Sequence, residues 1–104
     1  MVNPMRGEVE IMLDGAAHVA RLTLGALAEL EQDLGAQSLL ALAERFETGR
    51  FSSRDVLAVL VAGLRGGGWR GRVEDLLSVE IQGGPVVAGR LAAELLARAF
   101  RIEA

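Results

Sequence analysis

The clearest alternation of apolar and polar positions runs through residues 8–22, EVEIMLDGAAHVARL. Val9, Ile11 and Leu13 interleave with Glu8 and Glu10. Asp14-Gly15 follows them, a dipeptide suited to a two-residue type I′ turn because both central residues need positive φ. Folding the chain there pairs Leu13 with Ala16, Ile11 with His18, Val9 with Ala20, and Glu8 with Arg21. One face then carries Val9, Ile11, Leu13, Ala20 and Leu22, and the other carries Glu8, Glu10 and Arg21, as in a half-buried hairpin. Two strands alone are marginal, so the apolar face must lie on helices or on a partner.

After Leu22 the period changes from two to about 3.6. Thr23 is placed to cap a helix whose stripe is Leu24, Leu27, Leu30 and Leu34, opposite Glu29 and Asp33, with Gly35 as its stop. A second helix is predicted from about Ser38 to Thr48, with Leu39, Leu42, Ala43 and Phe46 inward and Gly49 ending it. The third opens on Ser52 with Asp55 three residues on, a shortened form of the capping box. Its apolar residues, Val56, Leu57, Val59, Leu60, Val61 and Leu64, run almost all the way round a helical wheel. Such a helix belongs at the centre of the domain, and Gly66-Gly67-Gly68 ends it.

A short helix over Arg72 to Ser78 has Glu74 and Asp75 in its first turn, where they favour the helix dipole. Gly83-Gly84 then lead to Pro85, which suits a first helical position, and a last helix is expected to reach Arg101. Arg90, Glu94, Arg98 and Arg101 collect on one narrow stripe of it, and the remaining arc, including Val86, Leu91, Leu95, Leu96 and Phe100, is apolar or small. Leaving several such side chains in water forgoes roughly 1.5–3 kcal/mol each, so the helix is either wedged into the domain or meets another protein.

The pattern therefore specifies an α+β fold over one domain, residues 1–104: an N-terminal β-hairpin followed by a bundle of four to five short helices. Its parts are the hairpin at 8–22, a three-helix segment at 23–65, a Gly/Arg joint at 66–72 and C-terminal helices at 73–101. The joint, with Gly66, Gly67 and Gly68, is a candidate hinge.

Composition narrows the chemistry. Cysteine, lysine and tyrosine are absent, and all eleven basic residues are arginine, as a GC-rich coding sequence would give. No disulfide, thiolate nucleophile or Cys-ligated metal site is available. Net charge is −3, from 14 acidic and 11 basic residues, which argues against a general polyanion binder. The start, MVNPMRGEVE, lacks a basic segment followed by an apolar core, so a secretory leader is not expected. The longest apolar run, Val56 to Leu64, is nine residues and too short for a bilayer. A protein of the bacterial cytoplasm is the expectation.

Gly66 to Gly71 matches G-x-G-x-x-G, but it follows a helix where a dinucleotide loop would follow a strand and open one. Arg65, Arg70 and Arg72 around Trp69 offer cations and a stacking surface, as single-strand binders use, on a chain of the wrong net charge. His18, the single histidine, has no second histidine or cysteine to share a metal and belongs at the margin of the core. Glu8/Glu10 and Glu29/Glu31 read as solvated faces. No catalytic residue, cofactor, metal site or small-molecule substrate is expected, and the chain does not read as an enzyme. Candidate partner contacts are Val86, Leu91, Leu96 and Phe100 on the last helix, with Trp69 as an anchor.

Several segments together resemble a known family. Arg6-Gly7-Glu8, the Asp14-Gly15 turn, Leu22-Thr23-Leu24-Gly25-Ala26-Leu27, Glu29-Leu30-Glu31 and Ala62-Gly63-Leu64-Arg65-Gly66-Gly67-Gly68 keep their order and spacing over about two-thirds of the chain. They resemble the small tail assembly chaperones of gene transfer agents and related phage tails, also described as phage tail tube proteins. Beyond Trp69 only a general likeness in the final helix remains. The resemblance implies a non-enzymatic protein of tail morphogenesis. Its partners would be the helical tape-measure protein, the tail-tube subunit or a second copy of itself. The alternatives it leaves open are a structural tube or connector subunit kept in the particle, and a nucleic-acid-binding accessory protein.

Overall fold

The computed structural model describes residues 2–3, 6–35 and 38–100. Two antiparallel strands, β1 (Val9–Leu13) and β2 (Ala16–Ala20), are followed by α1 (Leu24–Leu34), α2 (Leu39–Glu47), α3 (Ser53–Gly66), α4 (Val73–Leu76) and α5 (Gly84–Ala99). The class is α+β, as the periodicities specify. Asp14 and Gly15 both take positive φ, 48° and 82°, and the register set by that turn pairs Leu13 with Ala16, Ile11 with His18 and Val9 with Ala20. The expected Glu8–Arg21 pair does not form. Both residues lie outside the strands: Arg21 N–H donates to Gly63 O at 2.7 Å, and Glu8 O accepts from the Arg98 guanidinium. The Glu8 carboxylate accepts from Asn3 N–H at 2.7 Å with its side chain only 14% exposed, so it is not a solvated face.

A third segment joins the hairpin. Leu13 and Ile81 form an antiparallel bridge, Asp14 N–H donates to Glu80 O at 2.9 Å, and Gln82 N–H donates to Met12 O at 3.2 Å. The Asp14 carboxylate also accepts from Glu80 N–H at 2.9 Å. The loop before α5 is thereby tied to the turn and to β1. Nothing local in residues 79–82 announces this, because the pairing is with a segment some 66 residues away.

The core is one cluster beneath the hairpin, with Ile11, Leu30, Leu42, Leu60, Leu64 and Leu95 fully buried. α3 is its axis and packs on α1, α5, α4 and β2. Two features let the other elements come so close. Gly63 faces Leu95 of α5, where a Cβ would stand 2.7 Å from a leucine methyl. At the helix end, a Cβ on Gly66 would lie 2.0 Å from Arg21 O and one on Gly67 1.9 Å from Val19 O. The Gly63/Gly66/Gly67 face of α3 thus meets the last turn of the hairpin backbone to backbone. The helix then stops in a Schellman arrangement: Gly68 takes φ +107°, its N–H donates to Arg65 O at 3.1 Å, and Trp69 N–H donates to Leu64 O at 2.9 Å.

The helix starts follow the side chains expected to cap them. Thr23, Ser38 and Ser52 accept from the N–H of Ala26, Ala41 and Asp55 at 3.1, 3.0 and 3.1 Å, and Asp55 returns the bond to Ser52 N–H at 2.9 Å. The stripe of α1 is a correction: Leu24 is 84% exposed, and Ala26 and Leu30 are the buried pair. Leu24 is the first residue of the helix and projects beyond the end of the packed surface. α4 is a single turn, shorter than its expected span, with Asp75 accepting from Arg72 N–H at 2.8 Å. The expected last residue of α5, Arg101, lies outside the described residues.

The glycine contact makes a sharp prediction. Gly67→Ala must push the hairpin off α3 and should lower unfolding stability by about 1–3 kcal/mol. Gly25→Ala, where a Cβ meets nothing closer than the Thr23 hydroxyl at 3.9 Å, should stabilise by up to about 1 kcal/mol. Urea unfolding of the two variants checks both signs.

Candidate functional site

Two side-chain contacts hold α2, one to α3 and one through Phe51 to α5, and a groove remains between α2 and α5. Arg45 of α2 makes a two-pronged ion pair with Asp55 in the first turn of α3, Nε to Oδ2 at 3.1 Å and Nη2 to Oδ1 at 3.0 Å. Phe46 of α2 stacks on Phe51 with ring centres 4.5 Å apart and planes 5° apart. Phe51 in turn lies against Gly89 of α5, where a Cβ would sit 3.1 Å from its ring. The Arg45 hydrogen bond is the main cause that holds the Asp55 carboxyl below its usual range. Burial opposes it, and the Ser52 N–H adds to it.

The groove that results has a volume of about 530 Å³. Leu40, Ala43, Phe46 and Glu47 of α2 line one side, and Ala93, Leu96 and Ala97 of α5 with Phe100 just beyond it line the other. Leu40 is 66% exposed and Phe100 42%, while Leu96 at 2% forms the floor. Small alanines between large, solvent-facing side chains leave a trough of the width of a helix ridge. Glu47 is its one charged residue.

The five candidate contacts from the sequence do not share one surface. Leu96 and Phe100 meet in the groove, Leu96 as buried floor and Phe100 as rim. Leu91 is half-buried against the core. Val86, near the start of α5, is 74% exposed and lines neither this groove nor the recess around Trp69. Trp69 is half-buried on the core, its ring folded so close over Gly71 that a Cβ there would stand 2.0 Å away. Leu40 and Ala43 were not among those candidates. The signal for Leu40 was its position beside the inward stripe of α2, an apolar residue where a polar one would be expected.

Trp69 borders a wider recess of about 640 Å³, lined also by Thr23, Ala26, Glu29, Arg65 and Arg70. Its lining is largely polar, and Arg65 is engaged by Glu29 at 2.6 Å across α1 and α3. That ion pair takes one of the three arginines a nucleic-acid reading would use. Gly66 and Gly67 are occupied by the backbone of the hairpin end, so the G-x-G-x-x-G segment cradles Arg21 and Val19 carbonyls and not a phosphate. Among the described residues no three His, Asp or Glu side chains come together as a metal site, and no helix is long and apolar enough to cross a membrane.

The described residues form a small α+β domain with an apolar groove between α2 and α5. Residues 6–102 match the family described as phage tail tube protein, GTA-gp10, and the chain belongs to that family. It is therefore a protein of gene transfer agent and phage tails. No curated protein and no solved structure matches it.

The ion pair sets a pH dependence. A carboxyl whose folded pKa is depressed contributes stability that is complete above its unfolded value near 4 and is lost as pH falls through the lower folded value. Asp55→Asn should lower stability by about 1–2 kcal/mol at pH 7. The gap to the parent should close as the solution is acidified below pH 4, which urea titrations at both pH values would read.

Proposed function

We propose that this protein is a non-enzymatic assembly chaperone of the tail. On this reading it acts in the cytoplasm of the producing cell and shields helical segments of the tape-measure protein while tube subunits gather around them. The observation that carries the reading is the α2–α5 groove, whose exposed Leu40 and Phe100 flank small alanines over the buried Leu96. An amphipathic helix laid into it would cover side chains that otherwise stay in water. Val86 and Trp69 line no part of this groove and are left out of the proposed contact. Of the three glycines in the joint, Gly68 is the one where an added Cβ would meet open space, and a hinge there would move the short Trp69–Arg72 stretch and not α5, which is packed on α3.

A second reading has its own observation. The family description is that of a tube protein. The start of β2, at Ala16 and Ala17, is a short open edge, while the end of the strand is covered by α3, with Val19 O against Gly67 and Arg21 N–H on Gly63 O. An open edge of that kind could pair with a neighbouring subunit in a finished tube. Mass spectrometry of purified particles separates the two, since a tube subunit is present in many copies and a chaperone is absent.

Co-expression supplies the direct test. The tape-measure protein should stay soluble with the parent chain and lose at least half of that soluble fraction with Leu40→Ser or Ala97→Glu. Equal precipitation with and without the chain would sink the chaperone reading.

A further inference from the structure

The charge on the groove says which kind of helix it takes. Glu47 is the last residue of α2 and lines the trough, yet it has no ion pair or hydrogen bond with any described residue. Asp55 is engaged by Arg45 and Glu94 by Arg98 at 3.0 Å, and Glu44, one turn earlier on α2, lines no part of the trough. A carboxylate at the end of an apolar trough favours a cation on whatever covers it, because the contact removes both from part of their water. Leu40 stands at the other end of α2, seven residues before Glu47, so the two lie about two helical turns apart on the same side.

We propose that the groove selects a helical segment of another tail protein that carries a Lys or Arg about seven positions from the apolar residue that meets Leu40. The basic residue pairs with Glu47, and apolar residues on the intervening turns fill the space over Ala43, Ala93 and Ala97. A second copy of this chain is the poorer occupant. It would bring another Glu47 to the same trough and add a second net charge of −3 to the first. The inference rests on the reading of the groove as a helix-docking site, and it adds a charge preference to it.

Two labelled amphipathic peptides of about 18 residues test it, long enough to hold helix on a surface. Both carry Leu at i, i+3 and i+4, and they differ only in Lys or Glu at i+7. Fluorescence anisotropy with the full chain should show the Lys peptide binding roughly two- to fivefold tighter, the range expected of a partly exposed ion pair. Glu47→Lys should reverse that preference, and Leu40→Ser should weaken both peptides. Ala97 is exposed, so Ala97→Glu leaves the core intact and should abolish binding of both.

Equal affinity for the two peptides, or a preference untouched by Glu47→Lys, overturns the inference while leaving the co-expression result standing. Absence of binding by either peptide also overturns it. A concentration-dependent dimer in sedimentation that Ala97→Glu converts to monomer would assign the groove to a second copy instead. A charge-selective groove together with an unprotected tape-measure protein would keep this inference and reject that client.

Discussion

The structure depends on one backbone-to-backbone contact, where the end of the hairpin lies on the glycine face of α3. A side chain at Gly66 or Gly67 would occupy the space of the Arg21 and Val19 carbonyls. The Arg21 N–H to Gly63 O bond at 2.7 Å is made inside this contact. It brings the sheet close enough for Ile11 and Ala20 to reach the same core as Leu60 and Leu64. A two-stranded sheet has too little area to be stable alone, and here it is completed by a helix on one side and by the Glu80–Gln82 segment along β1. Glycine usually weakens a helix interior, yet at these positions its missing side chain is what permits the packing.

The same logic separates the two sides of the molecule. Around Trp69 the surface is polar, Arg65 is paired with Glu29, and Gly66 is spent on packing against the hairpin end. Between α2 and α5 the packing is incomplete by design of residue size. Phe46 and Phe51 fill the space beside Gly89, but alanines at 43, 93 and 97 leave a trough that no described part of the chain fills. Arg45 ties α2 to the start of α3 through Asp55, and the Phe46–Phe51 stack ties it to Gly89 of α5, so α2 is fixed on the domain. A preformed concave apolar surface binds with less ordering cost than one that must assemble on contact.

Much of the local structure was legible in the residues. The register of the hairpin followed from Asp14-Gly15, because the turn type admits one pairing. Thr23, Ser38 and Ser52 marked helix starts, and Gly35 and Gly68 marked ends, because capping is decided within three or four residues. The central place of α3 followed from a helix with no polar face. Less could be read of the candidate site. The wide apolar arc of α5 pointed to a partner surface, but Leu91 and Leu96 on that arc face the core while Val86 and Phe100 face water. A helical wheel does not hold the positions of neighbouring helices, so it cannot divide an apolar arc between them.

The sequence by itself determined the elements, their caps and the turn, since each rests on contacts between residues close along the chain. It also excluded most chemistry through what it lacks. Tertiary structure alone decided that the triple glycine receives the hairpin backbone, that residues 80–82 pair with β1, and that Leu40 joins Phe100 across a groove ending at Glu47. Those outcomes depend on distances between segments 40 to 70 residues apart, which the packing of α3 against its neighbours sets and no local pattern encodes.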